Sequence, residues 1–110
     1  MGCLLFCFAA PIEAPVLVKA VNTSSTSIIL KWTEISPENY GGILLGYRIY
    51  YRPADTKKKT KVIELSTTTF TYHLTDLFLW WSYEIRVGAY NRVGIGVTTN
   101  VTVQTDEDRK

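Results

Sequence analysis

The 110-residue sequence holds few residues suited to chemistry, and those it holds stand apart. His73 is the only histidine. General acid–base sites use His more often than any other side chain, so one isolated imidazole argues against an enzyme. Glu13, Glu34, Glu38 and Glu64 fall in unrelated segments and form no carboxylate pair with a base. No Ser-His-Asp set and no Gly-rich phosphate loop after a strand occurs. Cys3 and Cys7 are the only cysteines. Zinc needs four ligands, or three and a water, and this Cys-x-x-x-Cys spacing comes with no further His or Cys nearby. The sequence therefore points to no catalytic residue, no metal and no cofactor. What remains is modification chemistry. Asn22-Thr-Ser24 and Asn100-Val-Thr102 are sequons for N-glycosylation.

The elements that must position these residues follow from composition and period. At 12.5 kDa the chain allows one domain. Apolar residues make up 46% and charged residues 20%, which excludes a disordered tail. Lys and Arg exceed Asp and Glu by 12 to 10, so no strong basic field argues for nucleic acid. Cys3 to Ala10 is a continuous apolar run of eight residues. A membrane-spanning helix needs about 20, so this run cannot span. Met-Gly at the start lacks the Ser or Thr at position 6 that myristoylation asks for, since Phe6 stands there. Three readings of residues 1–10 stay open: a truncated signal sequence, a spliced or mis-annotated start, or a cloning remnant. In each, residues 1–10 are an apolar leader foreign to the fold. Residues 11–105 then form the domain, and the acidic run at 106–110 reads as a polar linker.

Within 11–105 no helical pattern persists for three turns, and alternation with period two recurs. Thr26 to Glu34 sets Ile28, Leu30 and Trp32 on one face against Lys31 and Thr33. Gly46 to Arg52 sets Tyr47, Ile49 and Tyr51 against Arg48, Tyr50 and Arg52. Ser82 to Tyr90 sets Tyr83, Ile85, Val87 and Ala89 inward. Val97 to Thr105 sets Val97, Thr99, Val101 and Val103 against Thr98, Asn100, Thr102 and Gln104. Weaker strands are expected at 15–21, 60–65 and 68–74, with Pro15 placing the first at a sheet edge. Asn22 falls in the turn after it and Asn100 on an outer face, so both sequons are expected to be accessible. Seven short strands separated by turn residues predict an all-β fold, a seven-stranded antiparallel two-sheet sandwich.

At this point the residues resemble a fibronectin type III module, an immunoglobulin-like Greek key. The elements, in order, are Pro11 and Pro15, then Ser27-Ile-Ile-Leu-Lys-Trp32, then Gly46-Tyr-Arg-Ile-Tyr-Tyr51. Leu77 with Tyr83 six residues on, Ala89-Tyr-Asn91, Gly94-x-Gly96 and the closing Thr105 complete the set. The resemblance implies that Trp32, Tyr47, Ile49, Leu77 and Val87 are core. It also implies that the Tyr83 hydroxyl pins the crossing before its strand. Gly94 and Gly96 would allow positive φ or close approach in the last hairpin.

One segment departs from the family pattern. Between Leu77 and Tyr83, where small polar residues are usual, stands Phe78-Leu79-Trp80-Trp81-Ser82. These side chains either fold over the core or form an exposed patch for a neighbouring module or partner; a third reading is a poorly behaved fragment. The family's strand order also implies that Arg48, Arg52 and Arg86 share one face with Tyr50, followed by Lys57, Lys58 and Lys59. That face would suit an acidic protein surface or heparan sulfate; the alternative is an ordinary solvated surface diluted by Glu84. No Arg-Gly-Asp occurs. The resemblance implies a non-catalytic interaction or spacer module of a larger adhesion molecule or receptor, on the extracellular side of the cell surface or secreted. Its partners would be proteins or adjacent modules. The alternatives are a structural module of an intracellular filament protein and an accessory module of an enzyme.

Overall fold

A computed structural model of the protein describes residues 8–105. The linker at 106–110, and residues 1–7 of the leader with Cys3 and Cys7, lie outside the described residues. The seven strands are β1 (Leu17–Ser24), β2 (Ser27–Trp32), β3 (Gly46–Pro53), β4 (Lys61–Leu65), β5 (Thr71–Leu74), β6 (Ser82–Tyr90) and β7 (Ile95–Gln104). A single 3-10 turn, Pro37–Asn39, interrupts the loop between β2 and β3. All pairings are antiparallel. One sheet runs β1-β2-β5 and the other β4-β3-β6-β7. The chain thus changes sheet between β2 and β3, between β4 and β5, and again between β5 and β6.

The alternation read from sequence sets the core. Ile28, Leu30 and Trp32 from β2 face Tyr47 and Ile49 from β3, with Ile85, Val87 and Ala89 from β6, and every one of them is at most 2% exposed. Tyr47 sits at the centre. Its ring lies 6.1 Å from that of Trp32 and meets Phe70 edge-on at 5.6 Å. Its hydroxyl accepts a hydrogen bond from the Ile35 backbone N–H at 3.2 Å. Burial raises the Tyr47 pKa, outweighing that hydrogen bond, so the ring stays neutral at physiological pH.

Two expected placements need correction. Val97 is 54% exposed rather than inward. The pairing of β6 with β7 runs regularly from Ser82↔Gln104 to Gly88↔Thr98, then shifts so that Tyr90 meets Ile95. The extra residue of this bulge turns the strand over, and the alternation holds only from Thr99 onward. Asn22 lies inside β1, opposite Ile28, and not in a turn. The chain reverses three residues later, at Ser25-Thr26.

The lead-in to β1 bridges both sheets. Pro11 and Pro15 are buried. The Pro11 carbonyl accepts from Val97 N–H at 3.3 Å, and the Thr99 hydroxyl donates to the Pro15 carbonyl. Gly96 permits this approach, since a Cβ there would stand 2.2 Å from the Pro11 oxygen. Gly94 takes the other role, with φ at +152°. Glu13 accepts from the Ser36 N–H at 2.8 Å and the Asn39 amide at 2.9 Å. Those two bonds, Asn39's first, hold its carboxyl below the ordinary carboxylate pKa. Because the folded value is the lower one, the stability this anchor adds is present above the unfolded pKa and is lost as pH falls through the folded one.

Phe8 to Ala10, the described part of the expected leader, touch the domain. Ala9 N–H donates to the Gly41 carbonyl at 3.0 Å, and the Ala9 carbonyl accepts from the Asn91 amide at 2.7 Å. Among the described residues, contacts with the sandwich therefore extend ahead of position 11.

Candidate interaction surfaces

The strands run between two poles. The N-terminal pole gathers the lead-in, the loop between β2 and β3, and the loop between β6 and β7. Asn91, 5% exposed, organises it. Its amide nitrogen donates to the carbonyls of Ala9 (2.7 Å) and Tyr40 (2.8 Å). Its Oδ1 accepts from the N–H groups of Val93 (2.9 Å) and Gly94 (3.3 Å). In the sequence Asn91 closes the Ala89-Tyr-Asn91 motif, which assigns it no role of its own. The available signal was an Asn opening a tight turn with Gly three residues on. Around it, Phe8 (63% exposed), Ile43 (82%) and Val93 (58%) line an open apolar hollow.

The C-terminal pole carries the corner before β6. Leu77 is buried, and its N–H donates to the Thr26 carbonyl at 2.9 Å. Phe78 N–H donates to the Tyr83 hydroxyl at 2.7 Å. This is the upstream backbone bond expected of Tyr83. Tyr83→Phe removes it while keeping the ring, and should cost about 1–2 kcal/mol in chemical denaturation. A cost near zero would show that water replaces the phenol freely.

The apolar run after Leu77 stays partly exposed, although the Phe78 ring lies 6.5 Å from that of the core residue Tyr83. Phe78 is 42% exposed, Leu79 51%, Trp80 59% and Trp81 39%. The two Trp residues differ. Trp81 is anchored, its Nε1 donating to the Ala54 carbonyl at 3.0 Å and its ring edge-on to Phe78 at 5.9 Å. Trp80 stands free with a left-handed backbone, φ +57°. For a bulky L-residue that conformation costs about 1–2 kcal/mol. Glycine escapes this and gives back about 0.5–1 kcal/mol in backbone entropy. Trp80→Gly should therefore leave the melting temperature of the 110-residue chain unchanged or raise it. A drop of several degrees would mean that the indole is held by the fold.

The basic face forms around β3 and β6, and two of its three arginines are paired with carboxylates. Arg48 pairs with Glu64 on β4 at 2.9 Å, and Arg52 pairs with Glu84 on β6 at 3.0 Å. Arg48 also lies over the Tyr90 ring at 4.1 Å, and Arg86 over Tyr50 at 4.8 Å. Both ion pairs are exposed and contribute roughly 0–1 kcal/mol each. Among the described residues Arg86, Lys57, Lys58 and Lys59 make no ion pair. Lys58 is 5.5 Å from the Phe78 ring centre, which puts it beside the aromatic corner. Asn100 is exposed in β7, opposite Arg86, and its Oδ1 accepts from the Thr98 hydroxyl at 2.7 Å. Asn22 is half-buried.

His73 bonds to the Thr23 hydroxyl at 2.7 Å across the face of the three-stranded sheet. Among the described residues no group of three or more His, Cys, Asp or Glu is placed to hold a metal. No helix among them is long and apolar enough to cross a membrane.

A three-plus-four antiparallel sandwich with a tyrosine-pinned corner is an immunoglobulin-like module. The Fibronectin type III domain model matches residues 13–105, and the chain belongs to that family. It is 36% identical over 91% of its length to Protein sidekick of Drosophila melanogaster, of which it spans 5%. It is 35% identical over 89% of its length to the putative receptor-type tyrosine-protein phosphatase mosPTP-1 of Aedes aegypti, spanning 8% of it. The neural cell adhesion molecule L1.1 of Danio rerio is 28% identical over 88% of the chain, which spans 9% of that protein. The crystal structure of the chicken CNTN1 FN1-FN3 domains superposes with a TM-score of 0.78 at 26% identity, covering 89% of this chain and 33% of that one. The relatives thus include fibronectin type III modules of cell-surface adhesion proteins, and the chain matches a small part of each.

Proposed function

We propose that this module acts without catalysis, as an interaction and spacing unit on the extracellular side of a larger adhesion or receptor protein. It works by surface complementarity and by holding its two poles a fixed distance apart. The observation that carries this reading is Asn100. It stands exposed on the outer face of the four-stranded sheet, within an Asn-Val-Thr sequon. A chain routed through the secretory pathway can receive a glycan there. The likeness to surface proteins supports the same placement. The polar groups are also engaged with one another: Arg48 with Glu64, Arg52 with Glu84, and His73 with Thr23. None of them is left as a reactive pair.

Glycopeptide mass spectrometry of the parent protein made in secreting cells tests this. The expected result is a glycan on Asn100 that disappears in Asn100→Gln. Bare asparagine at both Asn22 and Asn100 would count against the extracellular placement.

A further inference from the structure

We propose that a glycan carried on Asn100 lies down across the outer face of the four-stranded sheet, its two proximal N-acetylglucosamine rings seated on Arg86 and Tyr50. This deepens the reading of Asn100 as a used sequon and rests on it.

The seat is a row of outward side chains. Asn100 on β7 stands opposite Arg86 on β6, Arg86 opposite Tyr50 on β3, and Tyr50 opposite Val62 on β4. Residues paired in this way are side-chain neighbours on one face. With strands about 4.8 Å apart, Tyr50 lies about 10 Å from Asn100, the reach of two linked pyranose rings. The row borders an open hollow of about 510 Å³, lined by Tyr50, Arg52, Thr60, Glu84, Arg86 and Asn100 itself. That size falls in the range of roughly 300–1,000 Å³ that accepts small ligands.

The chemistry of the lining suits a sugar. Arg86 lies over the Tyr50 ring at 4.8 Å and makes no ion pair among the described residues. Its guanidinium keeps donors for hydroxyl and N-acetyl oxygens, and Glu84 accepts from hydroxyls. Tyr50 offers an aromatic body with a polar tip, which packs on the C–H face of a pyranose. Val62, 49% exposed, continues the row with an apolar side chain. The Asn100 amide is also aimed. Its Oδ1 accepts from the Thr98 hydroxyl at 2.7 Å. The amide is planar, so Nδ2, the atom that carries the sugar, turns away from Thr98. The hollow lies on that side, since Thr102 lines it and Thr98 does not. Tethered sugars meet this row at an effective concentration that a free saccharide lacks.

A glycan so seated covers Arg86, the unpaired arginine of this face. Arg48 and Arg52 are already held by Glu64 and Glu84. The face is thereby closed to acidic partners, and the glycan decides which surface the module presents.

The test uses the 110-residue chain carrying Asn22→Gln, which leaves Asn100 as its single sequon. It is secreted behind a signal peptide from cells that add high-mannose glycans. Hydroxyl-radical footprinting compares it with the same chain cut back by endoglycosidase to one sugar, and with Asn100→Gln. Tyr50 should be oxidised several-fold more slowly under the full glycan than in Asn100→Gln. Ile43, at the N-terminal pole, should react equally in all three. Cutting back to one ring should restore most of the Tyr50 reactivity, because the second ring is the one over it. The full glycan should also raise the melting temperature by about 4–8 °C, the shift that a contact comparable to one aromatic pair gives a domain of this size. Tyr50→Ala should cancel that rise. The rise is read against Asn100→Gln with and without Tyr50→Ala, so any cost of the substitution to the fold itself drops out. A glycan on Asn100 that leaves Tyr50 as reactive as in Asn100→Gln would overturn the seat while leaving the extracellular reading intact. So would a rise that survives Tyr50→Ala, because the glycan would then act without touching the row. Asn100 found bare in the secreted chain would overturn both.

Discussion

Trp32→Ala should destabilise the module by about 3–5 kcal/mol, the range for removing a large aromatic from a packed core. Trp32 is 2% exposed and sits between β2 and the Tyr47 ring. Leu30, Tyr47 and Ile49 of the same core cluster are fully buried, so little can move in to fill the space. A loss of this size is a large fraction of the stability of a ~100-residue domain. The variant is therefore expected to unfold at low denaturant or to fail in expression. Trp32→Phe is a useful second variant. Trp32 Nε1 is buried with no hydrogen-bond partner among the described residues. Phenylalanine removes that orphan donor while keeping most of the ring, so its cost should be well below that of alanine. Urea titration of both variants checks the pair. A mild effect of alanine would mean that Trp32 is not at the centre of the core.

The second large effect is expected at Asn91. Its side chain makes four hydrogen bonds, two as donor and two as acceptor. Each is worth about 0.5–1.5 kcal/mol net, and at a 5% exposed site water replaces them poorly. Asn91→Ala should cost about 2–4 kcal/mol and release the N-terminal pole in particular. Hydrogen exchange separates this from general destabilisation. The Ala9, Val93 and Gly94 amides should lose protection first, while Ile85 and Val87 in β6 keep theirs. Uniform loss across β6 would show that Asn91 supports the whole sandwich and not its pole.

The contrast between these two residues explains what the sequence made legible. Trp32 was readable because burial in a strand follows a period of two, and β2, β3 and β6 keep that period throughout. The family spacing also placed Tyr83, whose bond to Phe78 spans five residues and is a local matter. Val97 escapes the alternation because the bulge opposite Gly88 and Tyr90 adds one residue, and nothing in an alternating Val/Thr run marks where. Polar residues fill 22–25 and predict a turn at Asn22, but the two-residue reversal at Ser25-Thr26 lets β1 run through it. The basic face looked stronger in sequence than in space. Arg48 meets Glu64 only through the register of β3 against β4, and Arg52 meets Glu84 only through that of β3 against β6. Register is set by the whole sheet. The aromatic corner lay between these cases. Its composition announced it, but only the backbone of Trp80 and the bonds of Thr105 to Phe78 and Trp81 distinguish a rigid exposed patch from a lid on the core.

Surface labelling of the intact parent protein on living cells tests the central claim most directly. A membrane-impermeant lysine reagent should modify exposed Lys57, Lys58 or Lys59 without permeabilisation, and the labelled protein should be sensitive to glycosidase. Labelling that requires permeabilised cells, on a protein that carries no glycan, would contradict the account.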